Sequence, residues 1–375
     1  MIIEAFLRWI ETARASERAR AANALGRAYL RCEFAPEQRR AALMAMSLLL
    51  EDPSPHVRLA LAQALASSGE APRALIIPLA EDQPEIACTV IAQSPVLTEA
   101  DLVDIVGRGN GLTRGIVATR TNLGRMVGAA LVEVGARGEI VLLLENETAI
   151  LSRLSLSRIA ERFGHDAEIR RMLLEREDLP AEARHCLVMQ VGEALAGSDL
   201  VRMALARPRR ERLATEAVET AALTIAGSVN DAELPALIEH LRVAGQLTPA
   251  LLIQALCAGK ADFFAGAMVA LSGLEPPRVR SLLATGRMHA VRAMFESAGL
   301  RRDMAMVFVE GTMLWRHAGA MEQPEGFFEQ LLSACRKHGE PTAAVADLLG
   351  MVEKLQYAQA RLAARSYADA LSLAA

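Results

Sequence analysis

The sequence predicts an all-α fold: antiparallel helix pairs stacked as an α-solenoid, followed by a second helical domain. Three observations carry this expectation. The chain has 375 residues, more than one compact core usually holds (about 250–300 residues), so two domains or an elongated stack is expected. Hydrophobic residues make up 52% of it but aromatics only 4%, and the Ala, Leu, Val, Ile and Met that supply the rest suit helix–helix packing better than sheet packing. Finally, an acidic-Pro-apolar unit recurs at helical-repeat spacing, while no convincing period-2 run bounded by turn residues is present.

The repeating unit opens as Glu51-Asp52-Pro53-Ser54-Pro55-His56-Val57-Arg58. Thirty residues on, Glu81-Asp82-Gln83-Pro84-Glu85-Ile86-Ala87 repeats the opening. Asp52 is expected to cap the following helix, its carboxylate accepting from N–H groups of the first turn. A proline fits that turn because its missing N–H would have been unpaired anyway. Val57, Leu61, Ala64 and Leu65 then fall on one helical stripe. One helix pair cannot bury such a stripe alone, so neighbours must stack.

Further helical segments are expected at Ile86–Ala92, Glu99–Val106, Leu123–Val134, Ile140–Leu144, Leu156–Phe163, Ala167–Arg176 and Ala181–Ala196. The stretch 140–144 resembles a short strand in isolation, but bracketed by helices at repeat spacing it reads as a buried helix. Gly107-Arg108-Gly109-Asn110-Gly111 reads as a flexible connector. From about Leu200 the texture changes. Arg207-Pro208-Arg209-Arg210-Glu211-Arg212 suggests a linker or helix start, followed by helices separated by Gly227, Gly245, Gly259, Gly273 and Gly286. Leu247-Thr248-Pro249 has the form of a Thr-capped start, and Phe263, Phe264, Met268 and Leu271 form one face of the next helix. Val345, Leu348, Val352, Leu355, Gln359 and Leu362 trace a coiled-coil-like seam near the end. That seam either docks on its own domain or pairs with a second copy. The expected division is a helical-repeat domain over 1–200, a second helical domain over 201–320 and a C-terminal helical segment over 321–375.

The 51–66 segment resembles the second helix of a HEAT repeat: an Asp-Pro turn, Val-Arg, then Ala and Leu at helical spacing. The resemblance implies that Arg58 pairs with acids at inter-repeat turns. Residues ~40–315 also resemble a bacterial domain-of-unknown-function family, number 2336, found mainly in alphaproteobacteria. The resemblance rests on the Glu51-Asp52-Pro53 unit, the 94–102 stretch from Ser94-Pro95 to Asp101-Leu102, and Ile116-Val117-Ala118-Thr119-Arg120. It continues through Leu144-Glu145-Asn146-Glu147-Thr148-Ala149, the 174–180 stretch ending Asp178-Leu179-Pro180, Leu247-Thr248-Pro249 and the 259–264 stretch. It implies a HEAT-like helical fold and a bacterial source, and it supplies no reaction.

Composition narrows the function classes. Net charge is −4 and the pI is near 6.1, so no global field attracts nucleic acid or an anionic membrane. The basic residues are mostly Arg, with Lys only at 260, 337 and 354. Five dispersed cysteines without a CxxC pair suit reduced, buried thiols in the cytoplasm. The opening Met1-Ile2-Ile3-Glu4-Ala5-Phe6-Leu7-Arg8-Trp9 carries an acid and a base inside its apolar stretch, unlike a signal peptide. Apolar runs such as Ala41–Leu50 fall short of the roughly 20 residues that span a bilayer. A cytoplasmic protein without a membrane segment is expected.

No catalytic constellation is visible. The seven His residues form no HExxH and no His-x3-His pair, and adjacent His185 and Cys186 would point about 100° apart on a helix. Neither a Gly-x-Ser-x-Gly elbow nor a Walker-type phosphate loop occurs. A non-enzymatic protein is therefore expected, with no cofactor and no metal.

The residues that least resemble packing are Arg120, Asn146 and Arg176, spaced 26 and 30 residues apart near predicted helix ends. They are the candidate partner-binding ladder, with helix capping or repeat bridging as the competing role. The leading expectation is an interaction or scaffold protein that presents a curved helical-repeat surface to a protein or peptide, with a homodimer through the C-terminal helix as a further option. The alternative is a DNA-binding protein akin to the HEAT-like alkylpurine DNA glycosylases. The Arg207–Arg212 cluster speaks for it, and the negative charge and scarce aromatics speak against it. A third option is a regulatory module with a ligand pocket between the two helical domains.

Overall fold

Proline and Asx/Ser/Thr residues punctuate the chain into short helices, and alternate helices then bury one another's stripes. The structure, a computed structural model, describes residues 8–10, 12–317, 326–337 and 340–374, with side chains at 317, 362–363 and 366–374 set aside. The first seven residues, and with them most of the opening stretch that reads as unlike a signal peptide, lie outside this set, as does the Leu362 side chain of the expected seam. The described residues form helices and no strand. By compactness the chain divides into two units, 1–179 and 180–375.

Unit 1 contains α1 (Ala15–Arg31), α2 (Pro36–Leu49), α3 (Pro55–Leu65), α4 (Arg73–Ala80), α5 (Pro84–Gln93), α6 (Glu99–Arg108), α7 (Gly111–Ala118), α8 (Arg125–Val134), α9 (Arg137–Glu145), α10 (Arg153–Phe163) and α11 (Ala167–Leu174). Helices α2, α3 and α5 start on proline, where the ring's fixed φ suits the first turn. Helices α1, α3, α5, α7, α9 and α11 pack each on the next as one row; α6, α8 and α10 form a second. Two rows of alternate helices are what stacked helix pairs produce. The predicted stripe is in place: Val57, Leu61 and Leu65 are fully buried, and Ala64 nearly so. The 140–144 stretch is helical within α9, as its setting required.

Two local expectations are corrected. Asp52 does not cap α3: Ser54 holds the N-cap position without a side-chain bond. The Asp52 carboxylate instead accepts from the Ser54 N–H (2.9 Å) and from Arg18 (2.7 and 2.9 Å), so it closes the turn onto α1. The 107–111 stretch is not a loose connector, because Gly107 and Arg108 finish α6 and Asn110 caps α7, accepting from the Thr113 N–H at 3.0 Å.

Unit 2 contains α12 (Ala181–Gly197), α13 (Asp199–Ala204), α14 (Arg207–Ser228), α15 (Leu234–Val243), α16 (Pro249–Cys257), α17 (Ala261–Ser272), α18 (Pro276–Thr285), α19 (Met288–Ser297), α20 (Arg302–His317), α21 (Phe327–Arg336) and α22 (Ala343–Ala374). Its start at Pro180 places α12 here rather than with the preceding repeats, so the texture change expected near 200 falls inside the unit. The Arg207–Arg212 run is the start of α14, and Gly227 lies within that helix rather than between helices. Thr248 caps α16 as expected, accepting from the Leu251 N–H at 3.1 Å. Gly245, Gly259 and Gly273 follow helices at positive φ, where a side chain would strain the backbone.

Half of the chain's scarce aromatics gather in this core. Phe264 contacts the rings of Phe295, Phe308 and Trp315 at centroid distances of 6.0, 6.2 and 6.1 Å. Val345, Leu348 and Val352 of α22 are buried in the same cluster, with Leu355 packed against it. Those four seam positions are thus taken up by the chain's own core rather than left for a second copy.

Candidate functional site

Two of the three ladder residues, Arg120 and Asn146, share a role, and Arg176 does not join them. Arg120 follows α7 and points at the end of α5, donating to the carbonyls of Ile91 and of Ser94 (2.9 Å). Asn146 follows α9 and points at the end of α7, its amide donating to the carbonyls of Ala118 (2.8 Å) and Arg120 (2.7 Å). Its oxygen accepts from the Thr148 N–H and hydroxyl at 3.1 and 2.7 Å. Both side chains bind carbonyls that a helix C-terminus leaves open, one row position back. Arg176 does something else: it forms a two-pronged pair with Asp178 at 2.8 Å, within its own turn.

The same device recurs at positions that sequence spacing does not single out. Arg162 donates to the carbonyls of Val132 and Gly135 at the end of α8. Arg316 in unit 2 donates to those of Leu282, Leu283 (2.7 Å) and Gly286 (2.6 Å) at the end of α18. The acidic turns carry a second ladder. Arg18 pairs with Asp52, and Arg58 pairs with Asp82 at 2.6 Å while also reaching the Asp52 carbonyl. Arg73 pairs with Asp101 and Arg137 with Asp166. Each pair links successive repeats, as the HEAT resemblance implies for Arg58. Arg58 holds the Asp82 carboxyl below its ordinary range, with burial opposing. Arg137 brings Asp166 down to about 2.

Unit 1 also exposes several large apolar side chains. Met126, Ile150 and Leu154 are 61%, 53% and 83% exposed. Helices α8 and α10 are row neighbours, and the Ile150 N–H bonds the Leu123 carbonyl at 3.0 Å. The turns that open the two helices therefore run side by side. The sequence signal was present but faint: an Arg-apolar pair, Arg125-Met126 and Arg153-Leu154, at the first two positions of each helix, off the buried stripe.

Unit 2 holds a cavity of about 310 Å³ among α12, α14, α15 and α16. Its lining includes two buried titratable side chains, His185 and Glu219. His185 Nδ1 lies 3.3 Å from His240 Nε2. Burial, helped by the neighbouring His240, pulls the His185 pKa down to about 4. The Glu219 carboxylate accepts from Thr248 Oγ1 (3.1 Å) and Gln254 Nε2 (2.7 Å), and burial raises its pKa. At the start of α14, Arg207 pairs with Glu211 and Lys354 pairs with Glu216, so the basic cluster is interleaved with acids.

Among the described residues, no group of three or more His, Cys, Asp or Glu side chains is placed to hold a metal. No described helix is long and apolar enough to cross a membrane. No curated protein and no solved structure matches the chain. A family model does, over residues 86–341. That span starts at the first turn of α5 and runs on to the loop before α22, so the Glu51-Asp52-Pro53 unit counted toward the resemblance lies outside it. The chain belongs to the bacterial family described as "Uncharacterised protein conserved in bacteria (DUF2336)".

Proposed function

We propose that the chain is a non-enzymatic, cytoplasmic interaction protein, a HEAT-like stack that takes a protein partner on the apolar rim of Met126, Ile150 and Leu154. The observation that carries this reading is the contrast within unit 1. The polar side chains one would choose as a recognition ladder hold helix ends or turns, whereas three large apolar side chains on adjacent turns stand in solvent. Grouped exposed apolar residues mark protein interfaces more often than single ones do. The five cysteines are free, which supports a reducing compartment, but contrary to expectation only Cys257 is buried and Cys32 is exposed.

Capture on the immobilised full chain, before and after nuclease treatment, tests the reading, with Met126→Glu/Leu154→Glu as the comparison. Circular dichroism must first give the variant a wild-type spectrum and melting curve. A nuclease-resistant partner that binds wild type and is lost from the folded variant supports the rim. Partners retained by the variant overturn it. Recovery of nucleic acid that disappears after nuclease would move the assignment to the DNA-binding alternative.

A further inference from the structure

The unit 2 cavity carries an inference that uses none of the rim residues. Its lining includes the apolar side chains of Met189, Val218, Ala222, Leu241 and Leu251. Among its polar lining side chains, two buried atoms, Gln246 Oε1 and His185 Nε2, have no partner among the described residues. Glu219 is buried, yet its only described partners are the neutral donors Thr248 and Gln254. A carboxylate offers about four lone-pair sites, so two remain. Gln246 gives its amide N–H to Met189 Sδ at 2.7 Å, and its buried Oε1 has no partner among the described residues. His185 is fully buried, with Nδ1 facing His240 and Nε2 unpartnered. His185 lines the cavity and His240 does not. When Nδ1–H donates to His240, Nε2 presents a lone pair. Glu193 and Thr215 stand exposed at the mouth, and no Lys or Arg lines the cavity.

A buried carboxylate without a cation is costly, and so is each buried acceptor without a donor. The missing group is therefore a cation rich in N–H donors, attached to an apolar body. We propose that this cavity is a binding site for a small organic amine. Its ammonium is received by Glu219, Gln246 Oε1 and His185 Nε2, and its aliphatic portion lies against Met189, Val218 and Leu251. The volume, about 310 Å³, is at the small end of ligand pockets, which suits a single short chain rather than a nucleotide or a peptide.

The test uses the full-length chain and three probes of equal length at neutral pH: hexylamine, 1-hexanol and hexanoate, each followed by titration calorimetry and by melting temperature. Hexylamine should bind and raise the melting temperature. Hexanol should bind at least about tenfold more weakly and hexanoate not at all. Glu219→Gln keeps the shape and removes the charge, and it should weaken hexylamine at least about tenfold while the protein still folds. Gln246→Leu leaves the Glu219 bonds to Thr248 and Gln254 in place and should also weaken the amine, which keeps the test alive if Glu219→Gln does not fold. Equal binding of the three probes, no hexylamine binding at millimolar concentration, or unchanged amine affinity in a folded variant overturns the assignment.

Discussion

The guanidinium of Arg120 lies on the end of α5, where it donates to the carbonyl oxygen of Ser94 at 2.9 Å and reaches the carbonyl of Ile91 as well. A half-buried cation is thus held by the open carbonyls and negative end of a helix rather than by a carboxylate. Burial pulls its pKa down, and the carbonyls offset the cost of keeping it charged.

Arg120→Met should therefore lower the stability of unit 1 by about 2–3 kcal/mol, the worth of charge-assisted bonds with their acceptors left buried. Urea unfolding followed by circular dichroism reads this directly. Lys carries the charge without the fork, so Arg120→Lys should recover only part of the loss. Full wild-type stability for Arg120→Met would make the residue a candidate partner contact again.

The Arg–Asp ladder gives unit 1 an acid limit. Asp82 and Asp166 titrate below their unfolded value near 3.9 because Arg58 and Arg137 favour the charged forms. Groups depressed in the folded state add stability above the unfolded pKa and lose it as pH falls through the folded one. The contribution of these pairs to unit 1 should be constant above about pH 5 and be lost between roughly pH 4 and 2. Replacing Asp82 by Asn should lower the plateau and shallow the drop. A drop of unchanged depth in that variant would remove Asp82 from the ladder.

His185 acts at higher pH. Its folded pKa of about 4 lies below the ordinary value, so between roughly pH 6.5 and 4 the unfolded chain binds a proton that the folded chain does not. Stability contributed by the neutral ring is complete above that window and is lost progressively as pH falls through it. The melting temperature of the full chain should therefore begin to fall below about pH 6.5, ahead of the carboxylates. His185→Gln should flatten that early portion; the same early slope in the variant would assign it to another group.

Gly26 tests the row contact between α1 and α3. A Cβ at this position would sit 2.8 Å from the Ala64 Cβ, which has no rotamer to move away. Alanine gains about 1 kcal/mol in helix propensity over glycine, whereas overpacking costs about 1–3 kcal/mol. Gly26→Ala should come out destabilising, and Gly26→Val more so. A stabilised Gly26→Ala would mean that α1 shifts freely on α3.

Much of this architecture is legible in the sequence because it is set by short-range rules. Proline in first turns, the stripe Val57–Leu61–Leu65 and the Thr248 cap each depend on residues within two helical turns of one another. The resemblance placed the family and anticipated the inter-repeat role of Arg58. What only the tertiary structure decided is which polar groups were already spent. Asp52 meets Arg18 across 34 residues rather than capping its own helix, and Arg120 and Asn146 meet carbonyls 26 to 29 residues back. The cavity acceptors Glu219 and Gln246 come from separate helices and loops, and nothing local marks them as neighbours. Helical periodicity fixes the face on which a side chain lies. The orphan carbonyl or charge it will meet there is fixed only when the rows stack.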